Sequence, residues 1–228
     1  MPRLIAALIR HGDYHQLPDT PSAHQPFPLT EKGRDQAVRA AAQIQRQAES
    51  EGWNIHRNVH SSQLLRAWET AHLIAGELRD DFDISSFADL AERGMGSAAN
   101  LTVQQIEAII QDDPRFDPLP RDWKSNSHFC LPLQGAESLL QAGQRVAGHL
   151  EQSMKELAGH SVGDTLMLFV GHGAAIRHAA YVLGVLRFDE IATLSMYHAE
   201  PVYIEYTEQG WKHVAGNWKV RGQAQELD

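Results

Sequence analysis

The sequence predicts an α/β fold, a three-layer α/β/α sandwich with a mostly parallel central sheet and helices on both faces. Two observations support this prediction. Residues 4–9 and 165–170 are continuous apolar runs of strand length, as is typical of strands buried on both faces. Segments with apolar residues at helical spacing separate the predicted strands, and this alternation favours a parallel sheet.

The elements follow in order along the chain. We predict strands at 3–9, 57–62, 84–90 and 165–170, a terminal hairpin of 201–207 and 211–218, and helices at 31–50, 64–78, 102–111, 136–158 and after 173. Thr30 is the predicted N-cap of the first helix. Gly33 in its first turn indicates close packing there. Trp68 falls on the apolar stripe of the second helix and is expected in the core.

The whole chain, residues 1–228, is expected to form one domain. Residues 93–134 are rich in proline and contain one short helix, so we interpret them as a helical and loop insertion over the sheet and the site. The loop at about 13–28 carries four prolines, and a loop of this length in a compact domain is usually functional.

Composition excludes several classes of protein. The formal net charge of -9 over 228 residues argues against nucleic-acid binding, which needs a basic footprint. The apolar runs are too short for a membrane span or a signal peptide. Cys130 is the single cysteine, so an intrachain disulfide is impossible and a reducing compartment fits. We therefore expect a cytoplasmic protein without nucleic-acid or membrane partners. Oligomeric state is left open.

Charged and titratable residues follow the predicted strands. Arg10 and His11 come directly after the first strand, and Arg66 lies in the first turn after the second strand. Glu92 follows the third strand, and His172 follows the strand at 165–170. Ligands bind at the carboxyl ends of strands in open α/β sheets, so these residues predict one site. Arginine pairs and histidines in such a place suit a phosphoryl group.

The same residues lie in motifs that resemble those of the histidine phosphatase (phosphoglycerate mutase-like) superfamily. The motifs occur in the family's order between residues 8 and 173: Leu8-Ile9-Arg10-His11-Gly12, Leu29-Thr30-Glu31-Lys32-Gly33, Ser61-Ser62-Gln63-Leu64-Leu65-Arg66, Leu90-Ala91-Glu92-Arg93 and Gly171-His172-Gly173. Arg-His-Gly alone would be a weak signal, whereas the ordered set is highly specific.

The resemblance implies a role for each residue. His11 is the nucleophile and forms a phosphohistidine. Arg10 and Arg66 hold the phosphoryl oxygens, and His172 donates a hydrogen bond to them. Glu92 protonates the leaving oxygen and then deprotonates the attacking water. The chemistry agrees with these roles, because a covalent intermediate and electrostatic stabilisation of the phosphoryl oxygens both speed the hydrolysis of phosphate monoesters.

Residues after the first motif favour the phosphatase branch. Cofactor-dependent mutases carry the motif Arg-His-Gly-Glu-Ser-x-Trp-Asn. In this chain, Arg10-His11-Gly12 is followed instead by Asp13-Tyr14-His15. That segment is closer to the mitochondrial mutase-like protein phosphatases. We therefore predict a phosphomonoester phosphatase acting on a phosphorylated small molecule or a phosphoprotein. A cofactor-dependent phosphoglycerate mutase and a non-catalytic phospho-ligand-binding protein remain alternatives.

Three further residues are candidate substrate contacts. Asp13 and His15 follow the first motif, and His60 belongs to the second strand; packing inside the fold is an equal alternative for His60. No metal-ligand motif accompanies the thirteen histidines, so no metal and no cofactor are expected.

Overall fold

The computed structural model describes residues 2–78 and 81–222. The strands are β1 Leu4–Arg10, β2 Asn54–Ile55, β3 Asn58–Ser62, β4 Asp83–Phe87, β5 Thr165–Gly171, β6 Leu194–Ser195, β7 Pro201–Thr207, β8 Gly210–Ala215 and β9 Lys219–Val220. The helices are α1 Glu31–Glu51, α2 Leu65–Leu78, α3 Val103–Asp112, α4 Leu139–Ala158, α5 Gly173–Val182 and α6 Phe188–Thr193. The α/β prediction is confirmed.

The main sheet has seven strands, and its order sets the position of the site. Six strands run in the order β4-β3-β5-β1-β7-β8, and β2 pairs with β5. Strands β1 to β5 pair in parallel, whereas β7 and β8 are antiparallel. The carboxyl ends of β1, β5 and β3 therefore lie side by side at one edge of the sheet.

The two buried central strands send alternate side chains to opposite faces. Leu4, Ala6 and Leu8 of β1 pack with α4 and α5, in a cluster that includes Val146 and Ile176. The other face packs against α1 and α2, in a cluster that includes Ile5, Ala7, Ile9, Ala41, Ile44, Ala71 and Ile74. Burial of both faces explains why β1 and β5 are apolar throughout instead of alternating.

The predicted insertion packs against the loop that follows β1. Ala23 from that loop joins Met95, Ala98, Ile106, Trp123 and Leu131 in a small buried cluster. Trp123 also donates from its indole N–H to Glu107 over 3.1 Å. The two segments thus share a core above the edge of the sheet where β1 and β5 end.

Gly33 is required by a close backbone approach. A Cβ at Gly33 would lie 1.9 Å from the carbonyl oxygen of Asp13, and one at Gly12 would lie 2.5 Å from the carbonyl oxygen of Gly33. Thr30 caps α1 as predicted, because its hydroxyl accepts from the Gly33 N–H over 3.1 Å. The first turn of α1 therefore packs directly against the backbone of Gly12 and Asp13.

Several details differ from the sequence prediction. The short elements β2, α6, β6 and β9 were not predicted, since each is too short for its periodicity to be recognised. Helix α4 begins at Leu139 instead of residue 136, because Ser138 caps it through a capping box with Gln141. Trp68 was expected in the core, but it is 39% exposed and stacks on His72.

Within residues 2–78 and 81–222, none of the helices combines the length and apolar character needed to cross a membrane.

Replacing Gly33 by Ala is expected to destabilise the fold by about 1–3 kcal/mol, because the added methyl group overlaps backbone that has little room to move. Gly76→Ala in α2 is the matched control. Its Cβ meets nothing within 4 Å, so it should stabilise the fold by up to about 1 kcal/mol. Urea unfolding of both variants measures the difference, and equal stability would contradict the packing argument.

Candidate active site

The predicted strand-end residues come together at the carboxyl edge of the sheet. Arg10 ends β1 and stands opposite Gly171, the last residue of β5. His11 and His172 follow directly, and their ring centroids are 5.1 Å apart. Arg66, in the first turn of α2, contacts both rings. Glu92 completes the group after β4.

The two nitrogens of His11 have different partners, and these fix its tautomer. Nδ1 lies 2.7 Å from the carbonyl oxygen of Gly12, which can only accept, so Nδ1 carries the proton. Nε2 lies 3.2 Å from Nε of Arg66, which can only donate, so Nε2 carries a lone pair. The buried imidazole of His11 is therefore neutral, with a nucleophilic nitrogen directed at a guanidinium.

Arg66 is fully buried, and its guanidinium is surrounded by partners. Besides its bond to His11, it donates from Nη1 to the Gln25 carbonyl at 3.0 Å and from Nη2 to the Ala23 carbonyl at 2.7 Å. It also lies 4.5 Å from the ring centre of Tyr14. Residues of the loop at 13–28 thus hold the arginine that contacts His11, which agrees with a functional loop.

Arg10 is held by the turn between β6 and β7. Its Nη1 donates to the Met196 carbonyl at 3.1 Å, and its carbonyl accepts from the N–H of Ala199 at 2.8 Å. Ala199 adopts a φ of 56°, in the left-handed region that costs a residue with a side chain about 1–2 kcal/mol. This turn therefore packs closely over the end of β1.

His172 is held between Arg66 and Ser62. Its Nδ1 accepts from Nη2 of Arg66 at 3.2 Å, so its Nε2 carries the proton and donates to the Ser62 hydroxyl at 2.9 Å. Ser62 is the last residue of β3, and His172 is the N-cap residue of α5. Two neighbouring strands, β3 and β5, and two helices, α2 and α5, thus position this one imidazole.

Glu92 lies at the start of α5, beside His172. Its Oε1 accepts from the N–H of Arg93 at 2.8 Å, and its Oε2 accepts from the N–H of Ala174 at 3.3 Å. The residue is buried, with 6% of its surface exposed. It is also close enough to favour the charged form of Arg66, so it belongs to the same electrostatic group.

Both site histidines are held neutral. Burial, followed by the charge of Arg66, lowers the pKa of His11 and of His172 well below the usual value. Arg10 acts in the same direction on both rings. A neutral imidazole has a free lone pair on one nitrogen, so the site keeps His11 in a form that can act as a base or a nucleophile.

The structure adds residues that the motifs did not identify. The ring of Tyr14 stands edge-on to His11 with centroids 5.2 Å apart, and its hydroxyl bonds to Ser22. His24 lies 3.0 Å from the Glu92 carbonyl oxygen. His198 stacks on His11. Only the position of Tyr14, three residues after His11, carries a signal in the sequence.

The three candidate substrate contacts occupy different places. Asp13 lies next to the site, where its carboxylate accepts from the Thr30 hydroxyl at 2.8 Å. His15 is exposed and bonds through its backbone to Pro28. His60 is not brought to the site. Its side chain points under α4, where Nδ1 lies 3.0 Å from Nε2 of His149.

A cleft of about 620 Å³ opens beside the site. It is lined by residues 16–22 of the loop after β1, by Arg93 and by Lys124 of the insertion. Arg93 adjoins Glu92, and Ser22 bonds to Tyr14. Among the described residues, no group of three or more His, Cys, Asp or Glu side chains is arranged to hold a metal ion.

The family model of the histidine phosphatase superfamily (branch 1) matches residues 6–219. The chain therefore belongs to the histidine phosphatase superfamily.

Similar proteins include both phosphatases and a mutase. The chain is 26% identical over 207 residues to the mitochondrial serine/threonine-protein phosphatase Pgam5 of Drosophila willistoni. The aligned region covers 89% of this chain and 58% of the length of that protein. The fold matches mycobacterial glucosyl-3-phosphoglycerate phosphatase with a TM-score of 0.68, 21% identity and coverage of 97% and 99%. It also matches phosphoglycerate mutase from Bacillus anthracis str. Sterne with a TM-score of 0.68, 18% identity and coverage of 96% and 92%. These structures share the fold and do not separate the two activities.

The placement of His60 predicts a pH-dependent stability. Burial, followed by the charges of His149 and His56, lowers its pKa in the folded protein to about 4. The unfolded chain, with an ordinary pKa near 6.5, therefore binds more protons between these values, and stability falls as the pH drops from about 6.5 toward 4. His60→Leu should lose part of this dependence, as measured by urea unfolding at pH 7.5 and 5.0.

His160→Leu, at an exposed position after α4, is the control and should keep the dependence of the wild type. If His60 instead contacted substrate, His60→Leu would raise KM for phosphate esters and leave the pH dependence of unfolding unchanged.

Proposed function

We propose that the protein is a metal-independent phosphomonoester phosphatase that works through a phosphohistidine on His11. The observation that carries the proposal is the state of that imidazole. It is buried and neutral, its proton is fixed on Nδ1 by Gly12, and its Nε2 lone pair faces the guanidinium of Arg66. A phosphoryl group bound by that guanidinium would have its phosphorus next to the lone pair.

In the first step, the His11 Nε2 lone pair forms a bond to phosphorus, and the bond from phosphorus to the ester oxygen breaks. The negative charge of the transferred group is spread over three oxygens, which Arg10 and Arg66 would hold. A dianionic phosphate beside His172 favours its protonated form, and this form has a proton on Nδ1 to donate. Two arginines and one histidine then neutralise the group.

Glu92 is the proposed general acid and base. The ester oxygen leaves with the electron pair of the broken bond and takes a proton from Glu92. The resulting carboxylate then removes a proton from a water molecule, which attacks phosphorus and releases His11 as free imidazole. Support for this role comes from the position of Glu92 at the start of α5, next to His172 and within electrostatic range of Arg66.

Hydrolysis is favoured over the two alternatives by separate observations. A mutase is disfavoured by Asp13-Tyr14-His15 where cofactor-dependent mutases have Glu-Ser-x-Trp. A binding protein that does no chemistry has no need of Glu92. The adjoining cleft, with Arg93 and Lys124, has room for the leaving alcohol, which would be the rest of a phosphorylated metabolite or of a phosphoprotein. The expected location is the cytoplasm.

The direct test is hydrolysis of a chromogenic aryl phosphate in the presence of EDTA. The wild-type protein should hydrolyse this substrate. His11→Ala should reduce the rate of hydrolysis by about 1,000-fold or more, because the covalent step is removed. Equal turnover of both proteins would contradict the proposal, and so would loss of wild-type activity on adding EDTA. Interconversion of monophosphoglycerates, primed by bisphosphoglycerate and faster than hydrolysis, would favour the mutase.

Glu92→Gln separates the acid role from a structural one. It should slow hydrolysis of alkyl phosphates by roughly 100-fold or more and affect aryl phosphates far less, because a phenolate leaves without a proton. Glu137→Gln is the control. Glu137 pairs with Arg145 and accepts from the Gly94 N–H, close to Glu92 in the chain, and it lies outside the proposed chemistry. Equal losses on both classes of substrate would contradict the acid role.

A further inference from the structure

We propose that His198 is a positioning residue for the nucleophile: its imidazole lies against one face of the His11 ring and keeps that ring in the plane needed for attack. The inference rests on the proposed function, because it concerns the first chemical step. His198 lies outside all the strand-end motifs, in the turn between β6 and β7.

The geometry is that of stacked rings. The centroids of His198 and His11 are 5.6 Å apart and the ring planes differ by 29°. Tyr14 stands at 88° to His11, and His172 is tilted by 57°. Among these three neighbours, His198 makes the smallest interplanar angle with His11. Its Nδ1 lies 4.0 Å from Oδ1 of Asp13.

The backbone holds His198 in this place from both sides. The N–H of Ala199 bonds to the Arg10 carbonyl, and the Met196 carbonyl accepts from the Arg10 guanidinium. Ala199 is held at a positive φ of 56°. Strained backbone of this kind persists where the surroundings determine it, and it is concentrated at functional sites. The position of the ring is therefore built into the turn.

The nucleophile needs a restraint on its face because it loses one of its hydrogen bonds when a phosphoryl group binds. In the structure, the covalent link to Cβ and the bonds from Nδ1 to Gly12 and from Arg66 to Nε2 together hold the ring. When Arg66 turns to a phosphoryl oxygen, Gly12 is the hydrogen-bond partner that remains. Rotation about the Cα–Cβ and Cβ–Cγ bonds would then swing the Nε2 lone pair out of line with phosphorus, and the stacked ring opposes that rotation.

Residue 198 also lines a cleft of about 410 Å³ against α1, together with Gln36 and Arg39. A smaller or non-aromatic side chain at position 198 would leave space into which the His11 ring could tilt. The stacked face, instead of bulk alone, is thus the property that matters.

The test compares His198→Phe, which keeps a flat aromatic face, with His198→Leu, which is apolar and not flat. The readout is the single-turnover rate of phosphorylation of His11 by an aryl phosphate, with an alkaline quench because phosphohistidine is acid-labile. We expect His198→Leu to slow this step by about tenfold with KM changed less than about twofold, and His198→Phe to stay within about twofold of wild type.

His160→Leu is the control for loss of an exposed histidine, and thermal unfolding checks that each variant folds. Phosphorylation of His198→Leu at the wild-type rate would overturn the inference, as would a His198→Phe variant as slow as His198→Leu. Wild-type protein that forms no phosphohistidine on His11 would instead overturn the proposed function, so the two failures are distinguishable.

Discussion

The burial of Arg66 is the constraint on which the rest of the site depends. A guanidinium stays charged at physiological pH, so a fully buried one must be surrounded by acceptors. This chain supplies two backbone carbonyls from the loop after β1, two imidazole nitrogens and the face of Tyr14. The loop must therefore fold back over the sheet, and both histidines must present lone pairs. The loop conformation and the histidine tautomers both follow from one charge.

Much of this arrangement could be predicted from the sequence, because the relevant signals are local. The apolar runs that become β1 and β5 require burial on both faces, and the strand-end position of His11 and His172 follows from the carboxyl edge of a parallel sheet. The cap at Thr30 and the close approach at Gly33 also depend on neighbours in the chain. For these features, the sequence pattern that predicts the structure and the interaction that causes it involve residues close together in the chain.

The remaining features depend on contacts between distant segments. His198 reaches His11 across 187 positions, and only the pairing of β7 with β1 brings the turn there. His60 has a strand-edge position in the sequence, but the pleat decides that its side chain points toward α4 and His149. Trp68 fits a helical stripe, yet that helix is covered over only part of its circumference. No local pattern contains this information.

The partners of Arg66 also bear on affinity. Nε and Nη2 form one edge of its planar fork, and each points at an imidazole nitrogen 3.2 Å away. Under the proposed function, two oxygens of a phosphoryl group would accept from the same two donors. The conformational entropy of ordering the fork is lost during folding, and binding becomes an exchange of one acceptor pair for another. If the proposed function holds, such an exchange gives precise orientation with only modest net affinity, which would suit the release of inorganic phosphate after hydrolysis.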